Sequence, residues 1–138
     1  MNITYRDSLI GVDWGRLKAE LTVDHFDNGR FPLQLQRSFE NSYACCLAWH
    51  GSRIIGTARV LSDGICNAYL VDMWTHSSFR RQGVATTMFS RLCGVLSGQH
   101  LYLQSDVDTA DFYRSIGFVE QPLGLSRTVG KWLNDARS

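Results

Sequence analysis

The hydrophobic period of the chain changes at Gly83. Before it, Ala68-Tyr69-Leu70-Val71-Asp72-Met73-Trp74 is a mostly apolar run of strand length. After it, apolar residues fall at Val84, Ala85, Met88, Phe89, Leu92, Val95 and Leu96, the stripe of an amphipathic helix, and Gly98 stands where a helix-ending glycine belongs. Leu101 and Leu103 then alternate with Tyr102 and Gln104, which restores a period of two. Strand, crossover helix and strand imply a parallel pair with a right-handed connection. The run 68–74 reads as buried on both faces, as a central strand would be.

The rest of the chain extends this unit. Tyr43 to Trp49 and Arg53 to Leu61 read as two strands joined by the turn His50-Gly51-Ser52, a hairpin. Asp13 stands where it would cap a helix carrying Trp14, Leu17 and Leu21. A loop from His25 to Arg30 follows, turning at Asn28-Gly29, and Pro32 suits the first position of a second helix. Downstream, a short helix runs from about Thr109 to Ser115 and Gly117 closes it. Phe118-Val119 begins a last strand, with a partner around Arg127 to Trp132. This order predicts an α/β or α+β fold with one mixed sheet. A length of 138 residues suits one domain, spanning 1–138, and no repeat or linker divides it.

Charge and composition exclude several classes. Fourteen Lys and Arg face thirteen Asp and Glu, a net charge of +1, so no basic nucleic-acid footprint is expected. Charged residues interrupt every apolar run well short of the roughly 18 residues a membrane span needs. The start of the chain carries no apolar leader segment, which predicts a cytoplasmic protein. Cys45, Cys46, Cys66 and Cys93 show no C-x-x-C pair, and the expectation is reduced thiols that pack as small hydrophobes. His25, His50 and His100 have no ligand spacing, so no metal site is expected.

The segment from Val71 to Thr86 carries the chemistry. A strand ends, a short polar loop follows, and a helix starts near Gly83. The first N–H groups of a helix have no intrahelical partner and carry partial positive charge, which favours a phosphate. Gly83 and Ala85 lack bulk, Thr86 adds a hydroxyl, and Arg80 and Arg81 add guanidinium charge suited to phosphate oxygens. The same residues would also serve as a plain helix start with solvated arginines. Neither a Walker P-loop nor a G-x-G-x-x-G fingerprint is present.

Arg80-Arg81-Gln82-Gly83-Val84-Ala85 resembles the R/Q-x-x-G-x-G/A pyrophosphate loop of the GNAT superfamily of acyl-CoA-dependent N-acetyltransferases. Phe112-Tyr113 with Gly117-Phe118 is similar to the family's late segment, in which Gly-Phe follows a Tyr by four residues. Ile55-Gly56-Thr57-Ala58-Arg59 is similar to its hairpin strand. The three matches occur in the family's order and cover about residues 43 to 120. Two departures stand out: Thr75-His76-Ser77 replaces the usual Val-x-Pro, and Asp106 and Asp108 stand where an Asn is common.

The resemblance implies a single domain with a mixed, mostly antiparallel sheet of about six or seven strands. Helices would cover both faces, and a central parallel pair would splay to admit acetyl-CoA. It implies that the main chain of Met73, Trp74 and Thr75 pairs with the pantetheine arm. Arg80, Arg81, Gln82, Gly83, Val84, Ala85 and Thr86 would hold the pyrophosphate. The implied reaction is direct attack of an amine on the thioester, with a main-chain N–H near Trp74 as oxyanion donor and no cysteine carrier. Tyr113 is implied as proton donor to the departing thiolate; a core tyrosine beside Phe112 is the other reading. For a general base, Asp72 in its apolar strand and His76 after it are the candidates. A salt-bridged carboxylate and a loop histidine are the bland alternatives. Trp14, Phe26, Phe31 and Trp49 would wall an acceptor pocket or fill the core. The acceptor is an amine of a small molecule or a protein, and dimerisation is left open. A non-catalytic acyl-CoA-binding module would keep the loop without needing Tyr113, and a small nucleic-acid-binding domain would turn Arg80 and Arg81 on backbone phosphates.

Overall fold

A computed structural model of the protein describes residues 2–133. Its five strands are β1 (Thr4–Arg6), β2 (Ala44–His50), β3 (Arg53–Ser62), β4 (Asn67–Thr75) and β5 (His100–Tyr102). Its four α-helices are α1 (Trp14–Val23), α2 (Pro32–Glu40), α3 (Val84–Cys93) and α4 (Ala110–Ser115). The strands lie in the order β1-β2-β3-β4-β5, antiparallel throughout except for the parallel β4–β5 pair.

Local chemistry explains the element boundaries. Asp13 caps α1 by accepting the Arg16 N–H at 3.0 Å. Pro32 opens α2, and the Gln34 side chain accepts the Phe31 N–H at 2.8 Å. In the loop between these helices Asn28 and Gly29 both have positive φ, 53° and 73°, as an Asn-Gly turn requires. The helix that follows Gly83 stops at Cys93, with Gly94 as its cap. Gly98, the expected terminator, lies in a later turn with φ +85°.

Two cores sandwich the sheet. On one face α1 and α2 bury Leu17, Leu21, Leu35 and Phe39 against Leu47, Trp49, Ile54 and Trp74. On the other α3 buries Val84, Met88 and Leu92 against Cys46, Ile55, Val60 and Leu70. Adjacent Cys45 and Cys46 point to opposite cores, as the strand period demands. Each fully buried aliphatic side chain contributes about 1.5–3 kcal/mol.

The expected six or seven strands reduce to five among the described residues, and the parallel pair lies at the edge rather than the centre. The strands expected at Phe118-Val119 and Arg127 to Trp132 do not form. Pro122 interrupts the segment with a turn, and Leu123, Leu125 and Val129 stay 88%, 98% and 85% exposed. Nor is β4 buried on both faces. Ala68, Leu70 and Trp74 are buried, whereas Tyr69 is exposed beside its parallel partner Tyr102.

Gly56 sets how closely α3 approaches the sheet. A Cβ there would lie 3.1 Å from the side chains of Ala48 and Val84 and 3.2 Å from that of Met88. Gly56→Val should therefore push the first turn of α3 outward. We expect a loss of about 1–3 kcal/mol, read as a lower urea midpoint with an unchanged slope.

Candidate active site

The sheet opens between its parallel strands. β5 pairs only with Asn67, Ala68 and Tyr69, so Leu70 to Thr75 have no strand on that side. Within this free stretch β4 bulges. Thr57 faces Trp74 and Arg59 faces Val71, so the single residue Ala58 opposes both Asp72 and Met73. The His76 N–H donates to the Ile55 carbonyl at 2.8 Å, which fixes the alternation of the strand end. By that alternation Trp74 spends its main-chain groups on β3, while Met73 and Thr75 turn theirs into the opening. The Thr75 carbonyl accepts the Arg80 Nε–H at 3.1 Å.

The loop after β4 is built by side chains of its own. His76 Nδ1 accepts the Ser78 N–H at 3.0 Å and caps a single 3-10 turn, Ser77–Phe79. Phe79 is buried and anchors that turn. Arg80, Arg81, Gln82 and Gly83 then run exposed into α3. Arg81 and Gly83 have positive φ, 62° and 79°, and Gly83 caps α3 with no side-chain hydrogen bond. The result is a helix start whose N–H groups no capping side chain satisfies, an arrangement that suits an anion. A Cβ on Gly83 would meet no atom within 4 Å, so backbone conformation, rather than crowding, demands glycine.

Asp24 ties this loop to the end of α1. Its Oδ2 accepts the Trp74 Nε1–H at 2.9 Å and the Ser77 N–H at 3.0 Å, with Arg80 at 3.8 Å. Burial alone would raise its pKa, but these donors and the arginine together hold it below the ordinary carboxylate value. The Arg80 guanidinium is thus turned back toward Thr75 and Asp24. Sequence reasoning missed Asp24. Its signal was an acid directly after a helix, where the dipole disfavours one unless other partners compensate.

The end of α4 fixes Tyr113 in a cleft lined by α3, β5 and residues 103–124, with no residue of β4 or of the 80–86 loop in its lining. The Phe118 N–H donates to the Tyr113 carbonyl at 3.1 Å and the Gly117 N–H to that of Arg114 at 3.1 Å, with Gly117 at φ +103°. This is a Schellman motif, and its usual apolar contact is the edge-on packing of Tyr113 on Phe118, centroids 5.7 Å apart. The spacing of Tyr113 from Gly117-Phe118 is therefore a helix terminator that fixes the ring. Phe118 also packs on Phe89 of α3 at 5.5 Å. Tyr113, Met73, Leu101 and Leu103 all border the same core, and Tyr113 lines a cleft of about 680 Å³ with Phe89, Leu101 and Leu103. Burial and the charge of Asp106 push its pKa up, so the hydroxyl stays protonated at neutral pH.

Both base candidates are otherwise engaged. Arg30 grips Asp72 with NH1 at 2.8 Å and NH2 at 3.1 Å, and Arg59 Nε lies at 2.5 Å. Burial would raise the Asp72 pKa, but the two guanidinium groups outweigh it and hold the carboxylate ionised and weakly basic. His76 is buried, its Nδ1 spent on Ser78 and its ring wedged edge-on between Trp74 and Phe79. Of the aromatic residues, Trp14, Phe26 and Trp49 belong to the α1–α2 core, whereas Phe31 is exposed. Burial pushes the Cys45 thiol up to about 11 and raises Cys46 and Cys93, which disfavours thiolate chemistry. No metal-binding cluster of His, Cys, Asp or Glu occurs among the described residues.

A five-stranded sheet parted at a parallel pair, with an uncapped helix start after the free stretch, is an α/β fold with an anion-suited opening. Residues 41–120 match the acetyltransferase (GNAT) domain model, and the chain belongs to that family. It is 31% identical over 111 residues to histone acetyltransferase TAP1 of Glycine max, covering 70% of this chain and 48% of that protein. It is 31% identical over 80 residues to GCN5-related N-acetyltransferase 1, chloroplastic, of Arabidopsis thaliana, covering 56% and 41%. The chain thus spans less than half the length of these curated relatives. Glucosamine-6-phosphate N-acetyltransferase from Arabidopsis thaliana shares the fold with a TM-score of 0.75 at 15% identity, over 94% of this chain and 100% of that one. A GNAT family acetyltransferase from Streptococcus pneumoniae does so with a TM-score of 0.73 at 20% identity, over 92% and 100%.

The helix start yields a direct check. Gly83→Glu strains the left-handed cap and sets a carboxylate where an anion would sit. Calorimetry should show acetyl-CoA affinity abolished with the fold intact by circular dichroism. Unchanged affinity would remove the loop from the binding site.

Proposed function

We propose that the protein is an N-acetyltransferase that carries an acetyl group from acetyl-CoA directly to a primary amine. The observation that carries this reading is the unpaired edge of β4 at Met73 and Thr75 running into the uncapped start of α3. Tyr113 joins the reading through its family-like spacing from Gly117-Phe118, which the helix terminator explains. The donor set fits the group. Main-chain N–H from Gly83 to Thr86, with Arg81 and Gln82 beside them, would hold the pyrophosphate. The β4 edge would pair with the amide-bearing arm as an added strand, with Arg80 leaving Thr75 to meet phosphate oxygens.

Acetyl-CoA would supply the activated acyl thioester. The chain's own contribution is positioning and electrostatics. A main-chain N–H of the β4 edge would donate to the thioester oxygen as it gains charge. Tyr113, protonated at neutral pH, would donate its hydroxyl proton or a strong hydrogen bond to the departing sulfur. Asp72 and His76 are both engaged elsewhere, so this reading assigns deprotonation of the amine to water. The raised thiol pKa values argue against a covalent cysteine relay. Free cysteines support a reducing, cytoplasmic setting. The relatives named for histones and for glucosamine-6-phosphate mark protein and sugar amines as the first acceptors to try.

The test is thiol release from acetyl-CoA over a panel of small amines and lysine peptides. Amine-dependent release supports the transferase. Tight binding with no release on any amine would support a regulatory acyl-CoA module instead. Tyr113→Phe removes one hydroxyl and keeps the ring. With the best amine at fixed pH, kcat should fall by roughly 10²- to 10⁴-fold while acetyl-CoA affinity stays nearly unchanged. A well-folded variant with near-normal kcat would reduce Tyr113 to a packing role.

A further inference from the structure

Asp72 holds a conformation that a strand interior does not need. Its φ is +52°, in the left-handed region, where a residue with a Cβ is strained unless its surroundings enforce it. The surroundings here do so from two other elements. Arg30, from the loop after α1, holds both carboxylate oxygens. Arg59, from β3, holds Oδ2 from the other side. Thr57 Oγ1, also from β3, donates to the Asp72 carbonyl at 2.7 Å. Each arginine is pinned in turn. Arg30 Nε donates to the Asp27 carbonyl at 3.0 Å, and Lys18 Nζ donates to the Arg30 carbonyl while facing the Asp27 carboxylate at 3.6 Å. Arg59 NH1 donates to the Ser38 carbonyl at 3.2 Å, and its guanidinium lies over the Phe39 ring.

The Asp72, Arg30 and Arg59 side chains are 6%, 8% and 12% exposed. A buried ion cluster adds little net stability compared with apolar packing of the same volume. Strain and buried charge therefore coincide at one residue, and that residue is the bulge that re-aims β4. Asp and Asn are the non-glycine residues that tolerate this conformation best, and only Asp can also be clamped by two guanidinium groups.

We propose that Asp72 is a positioning residue for acyl transfer. Clamped by Arg30 and Arg59, it holds the β4 bulge that turns the Met73 and Thr75 main chain into the opening, and it registers the α1–α2 loop against that edge. The inference rests on the acetyltransferase reading. It predicts that weakening the clamp leaves the pyrophosphate end of the site alone and damages the acyl end.

Asp72→Asn keeps the size and the tolerance of positive φ but removes the charge. We expect acetyl-CoA affinity by calorimetry to fall by a smaller factor than kcat, because the pyrophosphate loop is untouched. kcat on the best amine should fall at least about tenfold, toward the roughly 10²-fold typical of a lost oxyanion donor. The Met73 and Thr75 amide NMR signals, which should shift when acetyl-CoA is added to the parent, should respond less in the variant. Arg59→Lys, which keeps the charge but not the fork, should show the same pattern more weakly and carries the test if Asp72→Asn does not fold. A lower Tm with unchanged kcat and an unchanged amide response in whichever variant folds would overturn the proposal and leave the cluster a purely structural one. If the parent binds acetyl-CoA without turnover, the amide response alone decides. If the parent does not bind acetyl-CoA, the functional reading fails first and this inference with it.

Discussion

β4 loses its neighbour at Leu70, and the rest of the site compensates for that loss. A strand edge left unpaired inside a domain exposes N–H and C=O groups that must find water or another partner. Here three contacts hold the edge in place. β3 pairs its other side through the bulge, α3 packs beneath it through Val84 and Met88, and the Thr75 carbonyl takes Arg80. Gly56 lets the first turn of α3 sit almost on the sheet, which sets the helix start at the mouth of the gap.

Two carboxylates organise the opposite face. Asp24 gathers Trp74, Ser77 and Arg80, and Asp72 gathers Arg30 and Arg59. Each joins the α1–α2 region to a different part of the β4 run. The helices of the N-terminal third are therefore coupled to both ends of the opening: the loop before α3 and the bulge of β4.

Much of this was legible from residue order. The switch of period at Gly83, the Asn28-Gly29 turn, the Asp13 cap and Pro32 are short-range signals, and each appears where the residues require it. The loop from Arg80 to Thr86 and the Tyr113 to Phe118 spacing were legible for the same reason. A helix start and a Schellman terminator are local structures, written in adjacent residues. Illegible were Asp24, Arg30 and Arg59, whose partners lie 50, 42 and 13 residues away. The end of α3 was misplaced by one turn: Gly94 is right-handed at φ −61°, and Gly94, Val95 and Leu96 continue the chain in tighter i→i−3 bonds before the left-handed Gly98.

The sequence alone determined the β2–β3 hairpin, the switch from strand to helix at Gly83 and the placement of a phosphate-suited loop, because periodicity, capping and turn preference act over a few residues. Tertiary structure decided the rest. It turned Asp72 from a candidate base into a clamped anion, since its basicity depends on two guanidinium groups from distant segments. It made His76 a cap and core residue by closing Trp74, Phe79 and Ser78 around it. It also withheld strand pairing from Phe118-Val119 and from residues 127–132. A strand pattern predicts only the face a segment could bury, and whether a sheet edge comes within hydrogen-bonding reach is settled by the packing of the whole fold.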